Sequence, residues 1–202
     1  VGDAAGTVAT MTVAAWYRGG GVSRGTLRSF DPVRMLVDAV RHEDGAWTTC
    51  GDASHQAWRF SDADESVPVA KAALPPVITV PRHVELGRLE SLLGSSFDAL
   101  AGGALDDAVI DSLPEGPSDE QRRLGRWTIS VQAVSPVGVT TSGEVGGTDT
   151  YGTTAMIAVE AARRLVVDGA PAGVLAPSQA FDPASFLGFL ADHGVRWRIS
   201  RG

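Results

Sequence analysis

The chain is short of the residues that staple or ligate. Among its 202 residues there is a single cysteine, Cys50, so no disulfide closes within it and no cysteine cluster supplies a zinc site. Cys50 reads as a small packed residue. Histidine numbers four, and no pair of histidines or carboxylates has the spacing of a His-Glu-x-x-His site, so no metal is expected. No apolar run approaches the roughly 20 residues needed to cross a bilayer. No basic-then-apolar signal segment opens the sequence, and a cytoplasmic address is expected by default. Clustered positive charge is missing too: a formal net charge of -7 argues against nucleic acid, whose phosphates require grouped Lys and Arg. The first residue is Val1 rather than Met, which leads us to expect sequence upstream.

What is present suffices for one substantial core, with 44% of residues hydrophobic, and the expectation is a single domain over residues 1–202. Thr7 to Arg18 alternates as a strand, followed by Gly19-Gly20-Gly21 and a helical stretch. Asp31-Pro32 reads as an N-cap and first helical residue, with Val33, Leu36, Val37 and Val40 as a buried stripe ending at Gly45. From Ala46 to Ala73 the signals are weakest, with short strands at Trp47 and Ala57 to Phe60 and an acidic turn between Ser61 and Ser66. Leu74 to Val80 reads as a strand and Val84 to Leu93 as a helix, its Leu86, Leu89, Leu92 and Leu93 at helical spacing. A second helix is expected over Phe97 to Leu113.

Ser118 and Gln121 fit a capping box. Arg126 to Val134 and Val137 to Val145 predict an antiparallel pair with Trp127, Ile129, Val131 and Ala133 on the covered face. Thr150 to Asp168 is apolar nearly all round and predicts a buried helix carrying a Glu160–Arg164 pair. Asp182-Pro183 caps another helix, and Val195 to Arg201 is a last strand. Strands and helices out of strict alternation make an α+β fold on a mixed, mostly antiparallel sheet flanked by helices.

Several constellations could carry chemistry. The glycines from Gly19 to Gly25 imitate a dinucleotide turn, but no strand with a terminal acid follows some 20 residues later, so they read as a bend into a helix. Gly21-Val22-Ser23-Arg24-Gly25 is also a literal nucleophile elbow, with Asp168 and His193 following in hydrolase order, and a serine hydrolase using Ser23 stays open as a third reading. His83 stands at a strand-to-helix junction where substrate-facing groups are common. Tyr151 and Thr153, with Thr150 and Thr154, open the long helix, whose free amides favour anions or polar ligand atoms.

The run from Gly125 to Ile199, and more loosely Val8 to Ser29 with its Ser23-Arg24-Gly25-Thr26 segment, resembles the carboxy-terminal part of saccharopine dehydrogenase-like oxidoreductases, including the trans-acting enoyl reductases. The resemblance implies a substrate-binding and dimerisation domain whose NAD(P) is held by an N-terminal nucleotide-binding domain absent from these residues. It implies no cofactor bound to this chain, a small-molecule substrate and a homodimer; the candidate substrate contacts on this chain are Ser23, Thr26, His83, Tyr151 and Thr153. A non-catalytic dimerisation or binding module is the alternative. Asp31-Pro32 interrupts a helix that the family keeps continuous, and Ala46 to Ala73 has no family motif.

Overall fold

The computed structural model describes residues 7–29, 39–50, 55–94 and 106–202. One sheet of nine strands organises them: β1 (Val8–Arg18), β2 (Val40–Glu43), β3 (Ala46–Thr49), β4 (His55–Trp58), β5 (Val67–Lys71), β6 (Leu86–Gly94), β7 (Arg126–Val134), β8 (Thr140–Thr148) and β9 (Arg196–Arg201). The order is β3-β2-β6-β1-β7-β8-β9, with β5 joining the far half of β6 and β4 pairing β5. β1 and β6 run parallel, while the other pairs are antiparallel. The fold is thus α+β on a mixed, mostly antiparallel sheet.

The helices are α1 (Arg24–Ser29), α2 (Pro76–Thr79) running into a 3-10 turn (Val80–Arg82), α3 (Asp107–Ser112), α4 (Asp119–Leu124), α5 (Thr150–Val167), α6 (Pro177–Ala180) and α7 (Pro183–Asp192). Under one face of the sheet, Trp127, Ile129 and Val145 meet Met156 of α5 and Phe186, Phe189 and Leu190 of α7. Further along, Met11, Val13, Leu89 and Ala133 meet Val77 of α2. On the opposite face Phe60, fully buried, packs on Ala14, Leu92 and Trp16, and its turn covers part of that surface. Among the described residues no helix is long and apolar enough to cross a membrane.

Two neighbouring segments exchange the structures expected of them. Leu74 to Val80 is not a strand: Pro75 takes the right-handed helical conformation and Pro76 opens α2, where a missing N–H costs nothing. Val84 to Leu93 is not a helix but becomes the central strand β6. Leu89 and Leu93 are buried under the helical face and Leu92 against Phe60, so apolar residues on both faces erase the alternation that marks a half-buried strand.

Other boundaries also shift. Val40 begins β2 rather than closing a helix, and Asp44-Gly45, with φ of 48° and 82°, makes the two-residue hairpin turn into β3. Asp31, Pro32, Val33, Leu36 and Val37 lie outside the described residues, as does the first part of the helix expected from Phe97, of which α3 is the described end. The long helix α5 is not buried as expected: Thr153 and Glu160 are its buried residues, while Val159 and Val166 face outward at 71% and 85% exposure. Glu160 pairs with Arg163 and Arg164 within the helix, and Arg164 ties the helix to α7 by donating from Nη1 to Ser185 Oγ at 3.2 Å.

Candidate functional site

The start of α5 meets the loop after β1. Asp149 stands at the helix N-cap with a positive φ of 49°, its carboxylate accepting from the Gly152 amide at 2.9 Å. Arg122 of α4 donates to the same carboxylate from Nε at 3.2 Å and Nη2 at 3.0 Å. The Asp149 amide in turn reaches the Gly125 carbonyl at 3.3 Å. A capping box holds α4: the Ser118 amide donates to Gln121 Oε1 at 2.8 Å, and the Gln121 amide to Ser118 Oγ at 3.2 Å. These bonds fix the entry of α5 and so the direction of Tyr151.

The glycine loop is pinned to the same place. Gly19, Gly20 and Gly21 all have positive φ, and a Cβ on Gly20 would stand 2.9 Å from the Gly125 Cα. From this bend Ser23 enters α1, with its amide donating to Tyr151 Oη at 2.8 Å. Thr26 Oγ1 lies 3.1 Å from Tyr151 Oη and 3.0 Å from Ser23 Oγ, and the Thr26 amide donates to Ser23 Oγ at 3.1 Å. Three hydroxyls from segments more than a hundred residues apart therefore form one hydrogen-bonded cluster. Burial works to raise the Tyr151 pKa, but the hydrogen bonds from Ser23 and Thr26 outweigh it and the phenol is shifted below its ordinary value. It is a more acidic proton donor than a solvated tyrosine.

The remaining candidates serve elsewhere. Thr153 is buried, and its hydroxyl donates to the Thr148 carbonyl at 3.0 Å, closing the first turn of α5. His83 bonds through Nδ1 to the Thr79 carbonyl, 3.1 Å away, and through Nε2 to Ser178 Oγ at 2.8 Å, joining the 3-10 turn to α6. That network shares no hydrogen bond with Tyr151. The hydrolase arrangement is not assembled: Ser23 is bound at the start of α5, whereas Asp168 caps its end about 26 Å along the axis. His193 Nδ1 is occupied by the Phe189 carbonyl at 2.8 Å.

The glycine bend does not fit the pyrophosphate of NAD(P). The glycine bend is packed against the backbone of Leu124 and Gly125 and against Pro117, where a pyrophosphate would need open amides. The helix that follows begins by donating the Arg24 amide to the Glu115 carbonyl.

Sequence reading missed Asp149 and Arg122, the pair that orients Tyr151. The signal was available for Asp149, an Asp directly before a helical run. Arg122 is brought to it by tertiary packing alone.

No family model matches the sequence, and no curated protein matches it. The structure is similar to that of saccharopine dehydrogenase (L-Glu forming) from Saccharomyces cerevisiae in its apo form, with a TM-score of 0.55 and 14% identity over 98% of this chain and 68% of that one. The fold is saccharopine dehydrogenase-like.

Proposed function

We propose that the chain is the carboxy-terminal substrate-binding and oligomerisation domain of an NAD(P)-dependent oxidoreductase of the saccharopine dehydrogenase-like kind, the enoyl reductases included, and is inactive alone. The observation that carries the reading is the Ser23–Thr26–Tyr151 cluster at the start of α5, on a fold of that kind. The nucleotide belongs to a separate nucleotide-binding domain, because the one glycine bend that imitates its site is filled by backbone. In this reading Tyr151 Oη is held by the Ser23 N–H and gives a hydrogen bond to an electronegative atom of the substrate, releasing Thr26 Oγ1. Its lowered pKa favours donating that proton as charge develops on the acceptor.

The test is a titration of this chain with NADPH followed by nicotinamide fluorescence. No saturation in the micromolar range is expected, and binding appears when the nucleotide-binding domain is supplied. Micromolar binding by this chain alone would sink the proposal. A second reading, a non-catalytic dimerisation module, is favoured by the apolar outer side of α5, where Val159 and Val166 are exposed.

A further inference from the structure

The face of the sheet turned away from α5 and α7 carries a trough that shares no residue with the Tyr151 cluster. At its narrow end is a cleft of about 220 Å³ bordered by Arg126, Arg196 and Arg198, and beside it a wider hollow of about 540 Å³. The two meet at Glu144 and Arg198, which line both. Cross-strand register explains the floor. Thr128, Gly146 and Arg196 form one row across β7, β8 and β9, Ser130, Glu144 and Arg198 the next, and Gln132, Ser142 and Ser200 the third. Position 146 excludes a side chain, since a Cβ there would stand 2.9 Å from the Trp127 carbonyl oxygen, and the glycine adds no side chain to the floor.

The charges at the narrow end do not cancel. Asp62 is engaged by Arg18 and by Thr128 Oγ1 at 2.9 Å, and Glu144 by the Ser61 amide at 3.2 Å and the Ser61 hydroxyl, with Arg198 at 3.8 Å. Arg126 spends Nη1 on the carbonyls of Arg123 and Gly125. The guanidinium of Arg196 has no ion-pair or hydrogen-bond partner among the described residues, and neither has that of Arg59 at the wider end. Both acids are thus committed while guanidinium donors stay open, in a chain whose overall charge is -7. Guanidinium forks match carboxylate and phosphate oxygens, and the hydroxyl and amide groups of Ser130, Gln132, Ser142 and Ser200 offer uncharged hydrogen bonds alongside. We infer that this trough binds a small hydroxylated molecule with an anionic head, the head at Arg196 and Arg198 and the neutral body along the third row.

The experiment is a nitrogen–proton NMR titration of the folded chain with glucose 6-phosphate, glucuronate, inorganic phosphate and uncharged glucose. The indole N–H of Trp58, buried without an acceptor at the wider end, is one probe. Its resonance is assigned by Trp58→Phe. Saturable shifts with one or both anionic hexoses, at least roughly tenfold tighter than glucose and weakened by salt, are expected. The ranking of phosphate against carboxylate identifies the head. Arg196→Ala, an exposed side chain, weakens the anionic hexoses toward glucose, and Gln132→Ala reduces the advantage of glucose 6-phosphate over inorganic phosphate. Equal response to glucose, no saturation at millimolar concentration, or binding indifferent to Arg196→Ala would overturn the inference.

Discussion

Tyr151 is hydrogen-bonded to Ser23 and Thr26 through its phenol oxygen, which makes the loss of one atom informative. Tyr151→Phe leaves the Ser23 amide without its acceptor at a half-buried position. A net hydrogen bond of this kind contributes about 1 kcal/mol, so the urea midpoint falls by a corresponding amount with an unchanged slope. In the complete enzyme of the proposed kind, the same change lowers turnover roughly 10²- to 10⁴-fold, measured with the nucleotide-binding domain present; full turnover would remove Tyr151 as a proton donor. Glu160 gives a prediction in pH. Hydrogen bonds from Arg163 and Arg164 hold its carboxyl down from 4.5 to about 2. Between those values the unfolded chain binds the proton more readily than the folded one, so this contribution is complete above about pH 4.5 and is lost as pH falls toward 2. Melting temperature therefore drops over that window more steeply for the native chain than for Glu160→Gln, which has nothing there to titrate.

At the scale of elements, backbone handedness and crowding can be separated with two glycines. Gly20 and Gly45 have nearly the same φ, 83° and 82°, yet a Cβ on Gly45 meets nothing within 4 Å whereas one on Gly20 would touch Gly125 at 2.9 Å. Gly45→Ala should cost about 1–2 kcal/mol, the left-handed term alone. Gly20→Ala should cost clearly more, because a backbone atom of the α4 terminus must also move; equal costs by denaturant titration would show that the loop yields. Elements with local chemistry were legible in sequence: the Ser118–Gln121 box, the Asp182-Pro183 cap, and the alternation of Trp127, Ile129 and Val131 all correspond to what forms. β6 was not. Its leucines are spaced as on a helix because the strand is covered on both faces, and only its pairing with β1 and with β2 and β5 reveals the difference. For the candidate site, the hydroxyl residues could be named but not grouped, since Ser23 and Tyr151 lie 128 positions apart and meet through the packing of α4. His83 illustrates the converse: its junction was recognised, but its ring is taken up by Thr79 and Ser178.

For the whole molecule, the outer side of α5 decides between a lone domain and an assembly. Ala155, Val159, Ala162 and Val166 recur at spacings of four, three and four, all exposed, along a helix of 18 residues. Such a stripe suits an antiparallel partner helix about 27 Å long, and a second copy supplies one with small residues for close approach. If the proposed dimer forms here, light scattering reports twice the chain mass of 21.0 kDa. The combined Val159→Glu and Val166→Glu changes then reduce it to the monomer. Because both side chains point outward, the substitutions should alter the stability of the isolated chain by no more than about 0.5 kcal/mol each, so lost association is distinguishable from lost folding. An apolar contact should also persist at high salt, whereas anion binding at Arg196 weakens. A native chain that stays monomeric at high concentration would rule out this interface and leave the helix side open to another partner.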